Sequence, residues 1–431
     1  MFFIFIALFI VGTILVSLYA TGYRIELSWP LNFNRLLIKT GIISVKSNPE
    51  GAAIYLNRRL QKNFSFNLWN SKYLTTPSKI KNVLPGKYDL TLKIPGYLPL
   101  SNKITVQSGQ TTFAENINLF KSNLPQLLVK TKDSSLLLSD SGHYIYLTNS
   151  GQIANVNNGN LNRQKVPPLG TWLNGTDQIF AGGRVFDVNG RLIKDFSDMI
   201  GNGATDWYYD QNQSRVYYIL KNSLNYWDIN NQTAVLIING ETCLSYKVSG
   251  NDIFLVAIKN GQTVLQDYSL NTKKIEQEAQ LPTIGHYNFG AINSRLTLND
   301  SLNNTLYLID PVNITSGLKT VQGITSWQWL NNQTILFSNN WEIYRLDLTT
   351  NRNSLLLRVG QKISKIIWDS DKNYLIYTTN DGLSAYDPET GLSTRIFGGS
   401  ISNPVLNINN DIVYFWTKIG HQSGIYSLDL K

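Results

Sequence analysis

Few side chains in this 431-residue chain have the types and spacing that chemistry requires. There is one cysteine, Cys243, which excludes a disulfide framework and a cysteine-based zinc site. It reads as a buried small hydrophobe. The three histidines, His143, His286 and His421, are too scattered to form a metal cluster. Asp369-Ser-Asp371-Lys-Asn373 imitates the start of a calcium loop. Position six should be Gly and is Tyr374, and position twelve should be Glu and is Asn380. The segment therefore reads as a turn. A Gly-x-Ser-x-Gly elbow, a phosphate-cradling loop and a dinucleotide fingerprint are all missing from the sequence. These observations predict no enzyme activity, no cofactor and no metal.

The remaining candidates are contact residues. Arg58, Arg59 and Lys62 flank a segment, LQKNFSFNLWNS, that alternates Phe64 and Phe66 and then adds Trp69. Two readings stand side by side. The segment is an extra strand covering a core, or it is an aromatic tip that touches lipid or an envelope polymer.

Charge is distributed unevenly along the chain. Residues 1–125 hold 14 Lys+Arg against 4 Asp+Glu, whereas residues 126–431 hold 24 against 25. A basic front section thus precedes a neutral body. Basic surfaces attract anionic lipid, polysaccharide or nucleic acid. Nucleic acid is not expected, because there is no helix-turn-helix, zinc finger or Arg-rich tail.

Four parts must carry these residues. Residues 1–23 contain no charged side chain, and Phe2–Ala20 is almost wholly apolar. Such a helix spans about 28 Å, close to the hydrocarbon thickness of a bilayer. A cleaved signal would need a basic start and a shorter apolar run. The segment reads as an uncleaved transmembrane anchor, followed by a linker over 24–40. Arg24, Arg35 and Lys39 after the span would place the body in the cytoplasm by the positive-inside rule.

Over 41–120, turn chemistry alternates with short β-prone runs, as in a small antiparallel β domain. Pro49-Glu50-Gly51-Ala52 ends the first run, and Thr76-Pro77, Leu84-Pro85-Gly86 and Pro95-Gly96-Tyr97 follow in order. These four pieces resemble the PEGA family, whose name is the first tetrapeptide. The resemblance implies a β-sandwich-like surface domain without catalytic residues, common on extracytoplasmic proteins. It therefore implies an extracytoplasmic body, against the charge bias after the span. Where the family has an Asp-Gly turn this chain has Asn57-Arg58, so a different turn is expected there.

Residues 121–431 repeat. A short apolar strand ends at a polar residue eight times, at Asn155, Asp187, Asp228, Ser269, Asp310, Asp347, Asp387 and Asp429, spaced 32 to 42 residues apart. A period near 40 with several strands per repeat marks a β-propeller. Four strands are expected in each repeat, and the anchors should hydrogen-bond their own turns. The run WDSDKNYLIYT resembles the TolB-type propeller pattern, without its Pro and Gly. The chain stops before the eighth repeat has a fourth strand, so Leu124–Lys130 is expected to supply it. Eight blades follow, with seven as the alternative because the second repeat is short.

The whole is mainly β: an N-terminal transmembrane helix, a small PEGA-like β-sandwich and a C-terminal β-propeller. The favoured function is a non-enzymatic, membrane-anchored extracytoplasmic binding or scaffold protein of the cell envelope. Its partner would be envelope polysaccharide or another surface protein, met at loops around the propeller channel. The alternative is a propeller-type glycan hydrolase or lyase. Two carboxylates in the channel mouth would favour that enzyme, and a lining of Asn, Ser and aromatics would favour binding.

Overall fold

Every charged or strongly polar group is missing from Phe2–Ala20, and this segment forms one continuous helix with no buried residue. Its hydroxyls are satisfied within the helix: Thr13 Oγ1 donates to Phe9 O at 2.8 Å. The computed structural model describes residues 2–25, 37–62, 73–292, 295–315, 317 and 319–431. After the helix, Tyr23–Ile25 pairs antiparallel with Leu37–Lys39. Part of the expected linker is therefore a β-ladder. Thr40 closes it, with its amide and its hydroxyl both donating to Gly22 O at 2.8 and 2.7 Å.

The PEGA-like domain is a sandwich of two sheets. One holds Ser78–Val83, Gly41–Asn48 and Thr111–Asn118, and the other Arg59–Leu60, Ala53–Leu56, Gly86–Lys93 and Leu100–Val106. Alternating side chains, among them Ile43, Val45, Ile54, Leu90, Leu92 and Ile117, fill the space between. The expectation of a purely antiparallel domain is corrected here. Gly41–Asn48 runs parallel to Thr111–Asn118, because the chain crosses to the other sheet and returns beside its first strand. The hairpin after Ala53–Leu56 also differs from expectation. Asn57 and Arg58 both have positive φ, 46° and 64°, as a two-residue type I′ turn requires. The turn geometry usual for Asp-Gly is thus kept without glycine. Asn57 helps by its polar side chain, whose Oδ1 accepts from the Asp89 amide at 2.9 Å.

Eight sheets follow in chain order. Their first strands are Leu136–Leu138, Thr171–Trp172, Thr205–Asp210, Thr242–Ser249, Tyr287–Ile292, Ser326–Asn331, Ile363–Asp369 and Ile401–Asn407. The first strands of blades four and five, six and seven, seven and eight, and eight and one touch one another, and a second or third strand of blades two and three touches the first strand of the next blade. They therefore surround a central channel, and the ring is closed. The eighth blade takes its outer strand from Gln126–Lys130, which pairs with Gln422–Asp429. This is the segment that the sequence placed there. Gly424 makes the close approach possible, since a Cβ on it would lie 2.1 Å from Val129 O.

The first blade corrects the four-strand expectation, for it has three strands. Beyond Asn155 the outer strand is reduced to a bridge between Ala154 and Leu161. The Asn162 side chain occupies the acceptor position instead, taking the Ile153 amide at 2.7 Å. Pro167 and Pro168 have no N–H with which to extend a ladder.

Seven of the eight repeated anchors cap turns with their side chains, while Ser269 accepts only through its backbone carbonyl, from the Lys273 amide at 2.8 Å. Carboxylate or amide oxygens of Asn155, Asp187, Asp228, Asp310, Asp347, Asp387 and Asp429 accept backbone N–H groups two to four residues on, at 2.8–3.2 Å. Asp369 does the same with the amides of Asp371 and Lys372, at 3.0 and 3.1 Å.

Candidate functional site

Blade geometry determines which residues share an end of the channel. Within each blade the first strand is innermost and the others alternate in direction. All first strands therefore begin at one face of the ring. The turns that end first and third strands lie on the opposite face.

The PEGA-like domain sits on that opposite face. Its last strand and the segment after it meet the turns of blades seven and eight. Asn116 Nδ2 donates to Glu389 at 2.9 Å, Asn118 Nδ2 to Lys372 O at 3.3 Å, and Lys121 pairs with Asp429. Phe120 packs edge-on against Tyr374, ring centroids 5.2 Å apart, inside a core shared with Ile376, Leu383, Val413 and Phe415. Lys431 donates to Asn118 Oδ1 and Leu119 O, both at 3.0 Å, and lies over the Phe120 and Tyr374 rings. Burial holds its ammonium down to about 8, while Asp411 works in the other direction. At neutral pH it remains a cation.

The channel opens at the other face. A cavity of about 440 Å³ lies between blades one, two, seven and eight, lined by Ser135, Leu137, Leu169, Lys365, Asn403 and Val405 among others. A second, of about 300 Å³, lies along blades three to five, with Asp206, Tyr208, Leu244, Lys247, Asn288 and Phe289 in its wall. Irregular backbone concentrates here. Four of the eight first strands shift register near their start, within the ladder to the second strand. Such bulges re-aim side chains. Asp206 and Asn403 take positive φ at two of them, 48° and 46°. Leu169 also has positive φ, 60°, and is 81% exposed at the rim. A bulky residue in that conformation is uncommon and costs roughly 1–2 kcal/mol.

Electrostatically, two lysines stand out. Among the described residues neither the Lys247 nor the Lys365 ammonium has a hydrogen-bond or ion-pair partner. Lys365 is exposed at the channel, yet enough protein surrounds it that desolvation lowers its pKa; Lys247 is lowered for the same reason. An unpaired cation within protein walls is costly unless an anion joins it. The Asn403 Nδ2 donates to Ser134 O at 2.8 Å, which orients the side chain at the rim. Ser245, beside Lys247, has a buried hydroxyl with no partner.

The contact residues expected from sequence lie elsewhere. Arg58 and Arg59 are exposed on the hairpin of the PEGA-like domain, and Lys62 is exposed with its ammonium 5.4 Å from the Tyr73 ring centroid. Phe64, Phe66 and Trp69 fall outside the described residues. Cys243 is buried, as expected, and burial pushes its thiol up to about 12. Sequence reasoning missed Lys247, Lys365, Leu169 and Asn403. The available signal was position: both lysines lie in the first strand of their repeats.

Comparison with known proteins agrees with this architecture. The PEGA domain family matches residues 69–122. The match begins after the Pro49–Ala52 tetrapeptide and ends at the segment that meets the propeller. No curated protein matches the chain in sequence. Among solved structures, the computationally designed Ika8 protein is 13% identical with a TM-score of 0.50, covering 70% of this chain and 99% of its own. The Dos1 propeller is 12% identical with a TM-score of 0.49, covering 72% and 96%. Hsv2 of Kluyveromyces lactis is 11% identical with a TM-score of 0.37, covering 53% and 75%. The chain therefore carries an apolar N-terminal helix, a PEGA domain and a β-propeller, an architecture that suits binding or scaffolding.

Proposed function

We propose that this is a non-enzymatic, membrane-anchored binding protein of the cell envelope with its body outside the cytoplasm. The observation that carries the reading is the division of the propeller into two faces. One is occupied by the PEGA domain, through which the chain leads to the apolar helix. The other presents cavities with partner-free lysines, exposed leucines and aromatic rings. A ligand there would be met on the side away from the stalk. The 19-residue apolar helix, exposed on all sides, supports the anchor. Asp206, in the wall of the second cavity, is the one carboxylate among the described residues that line the two cavities, whereas glycosidases commonly use two. This favours binding over hydrolysis.

Protease added to intact spheroplasts tests the topology and should digest residues 41–431. Full protection until the membrane is permeabilised would reverse it. Retention on immobilised envelope material tests binding. Retention should fall when Leu169 and Lys365 are both replaced by Ala, and retention unchanged by that replacement would remove the channel mouth from the function.

A further inference from the structure

The two unpaired ammoniums and the aromatic wall narrow the ligand class, taking the channel as the binding site. Along blades three to five, the Lys247 ammonium shares a cavity with the rings of Tyr208 and Phe289, the Asn288 amide and the Asp206 carboxylate. Tyr208 is 41% exposed, and Asn288 is exposed with no partner for its amide among the described residues. An aromatic face, neutral and anionic hydrogen-bond partners and one cation form a set with a clear counterpart. A sugar ring offers an apolar C–H face to the aromatic ring, hydroxyls to Asn288 and Asp206, and, if it is a uronic acid, a carboxylate to the lysine. An acidic peptide would match the cation but would leave the hydroxyl-type partners unused. The cavity between blades one, two, seven and eight repeats the theme with Lys365, Asn403, Ser135 and the exposed Leu169. Both volumes fall within or near the lower part of the range typical of small-ligand sites, about 300–1,000 Å³.

We propose that the propeller channel binds an acidic polysaccharide, with one sugar carboxylate on Lys247 beside Tyr208 and another on Lys365 beside Leu169. Charge supplies the first contact, since the ammoniums gain a partner that the protein does not provide. The aromatic and apolar walls distinguish a ring from a simple anion. Because the two lysines stand on blades four and seven, a polymer is better suited than a single sugar to reach both.

The test is calorimetric titration of the full chain in detergent with three probes: a galacturonic acid hexamer, a galactose hexamer and hexaglutamate. The expected order is galacturonate first, with both other probes about tenfold or more weaker. Lys247→Gln and Lys365→Gln should each weaken galacturonate binding about tenfold. Tyr208→Ala should weaken galacturonate without changing hexaglutamate. Lys274→Gln, on the outer strand of blade four, should change nothing. Equal binding of the galactose hexamer would overturn the acidic ligand class and leave a sugar-binding channel standing. Equal binding of hexaglutamate, with Tyr208→Ala silent, would overturn the sugar. Galacturonate binding that survives both lysine changes but is lost in Arg58→Gln/Arg59→Gln would place the polymer on the basic hairpin and overturn the channel reading as well. No binding of galacturonate overturns the proposal by itself. The wider function then rests on retention by envelope material.

Discussion

The Lys431 ammonium lies 4.5 Å from the centroid of the Phe120 ring. One residue follows the last strand of the propeller, and the other leads out of the PEGA domain. Their contact joins the two domains through a cation over an aromatic face, reinforced by the carbonyls of Asn118 and Leu119 side by side. Lys431→Ala should leave those acceptors unsatisfied and cost about 1–3 kcal/mol at the junction. Limited proteolysis should then cut between residues 118 and 126 more rapidly than in the parent. An unchanged cleavage rate would show that Phe120 packing alone holds the domains together.

Ring closure depends on Gly424. Its Cα hydrogens face Val129 O, and a methyl group there would overlap backbone. Gly424→Ala should displace Gln126–Lys130 and destabilise the propeller by about 1–3 kcal/mol or more. Thermal unfolding reads this directly. The same substitution at Gly420, where a Cβ meets nothing within 4 Å but φ is 59°, should act only through local backbone strain and cost less.

Asp267 is buried in blade four with Oδ1 unpartnered. Burial, with Asp252 and Glu276 adding repulsion, raises its pKa to about 6. The sign follows from linkage. The folded state holds this proton more firmly than the unfolded state, so the favourable contribution is complete below the ordinary aspartate range. It is lost as pH rises through 6. Asp267→Asn should therefore stabilise the protein at pH above 7 by about 2 kcal/mol and make little difference below pH 4. Equal melting temperatures at high pH would show that the carboxylate finds a partner in solution.

Arg58 occupies a left-handed position better suited to glycine. Arg58→Gly should stabilise the PEGA domain by up to about 1 kcal/mol, after allowance for the extra freedom of glycine in the unfolded chain. Denaturant titration with unchanged slope would confirm the origin. Destabilisation would mean that the arginine side chain holds contacts beyond the turn.

Much of the architecture was legible because it rests on local rules. An anchor residue at the end of each third strand announces itself by type and period, and its role follows from the nearby amides that it caps. The missing eighth outer strand was legible because an unpaired blade edge demands a partner. The parallel pair in the PEGA domain was not, since antiparallel and parallel neighbours share the same alternation of Ile43 and Val45. Asn57-Arg58 was misread because composition argued against positive φ, while the twist of the hairpin demanded it. Lys247 and Lys365 were illegible for another reason. A lysine in a β-strand looks the same whether it faces bulk water or a channel, and only ring closure separates the two. Leu169 gave no signal at all, because nothing in its neighbours marks a left-handed leucine.

The strand Gln126–Lys130 has a consequence for the order of manufacture. It leaves the ribosome before any blade exists, yet its partner, Gln422–Asp429, is translated only after the strands of the other seven blades. Seven blades can assemble from contiguous chain as they emerge, while this early strand must wait with an open edge. The register shift between Leu127 and Val129, together with the charge on Lys130, makes that edge a poor template for other strands during the wait. Completion is thus a single event that follows the other seven blades, and a chain without Gln422–Asp429 would hold seven formed blades and a ring that never shuts.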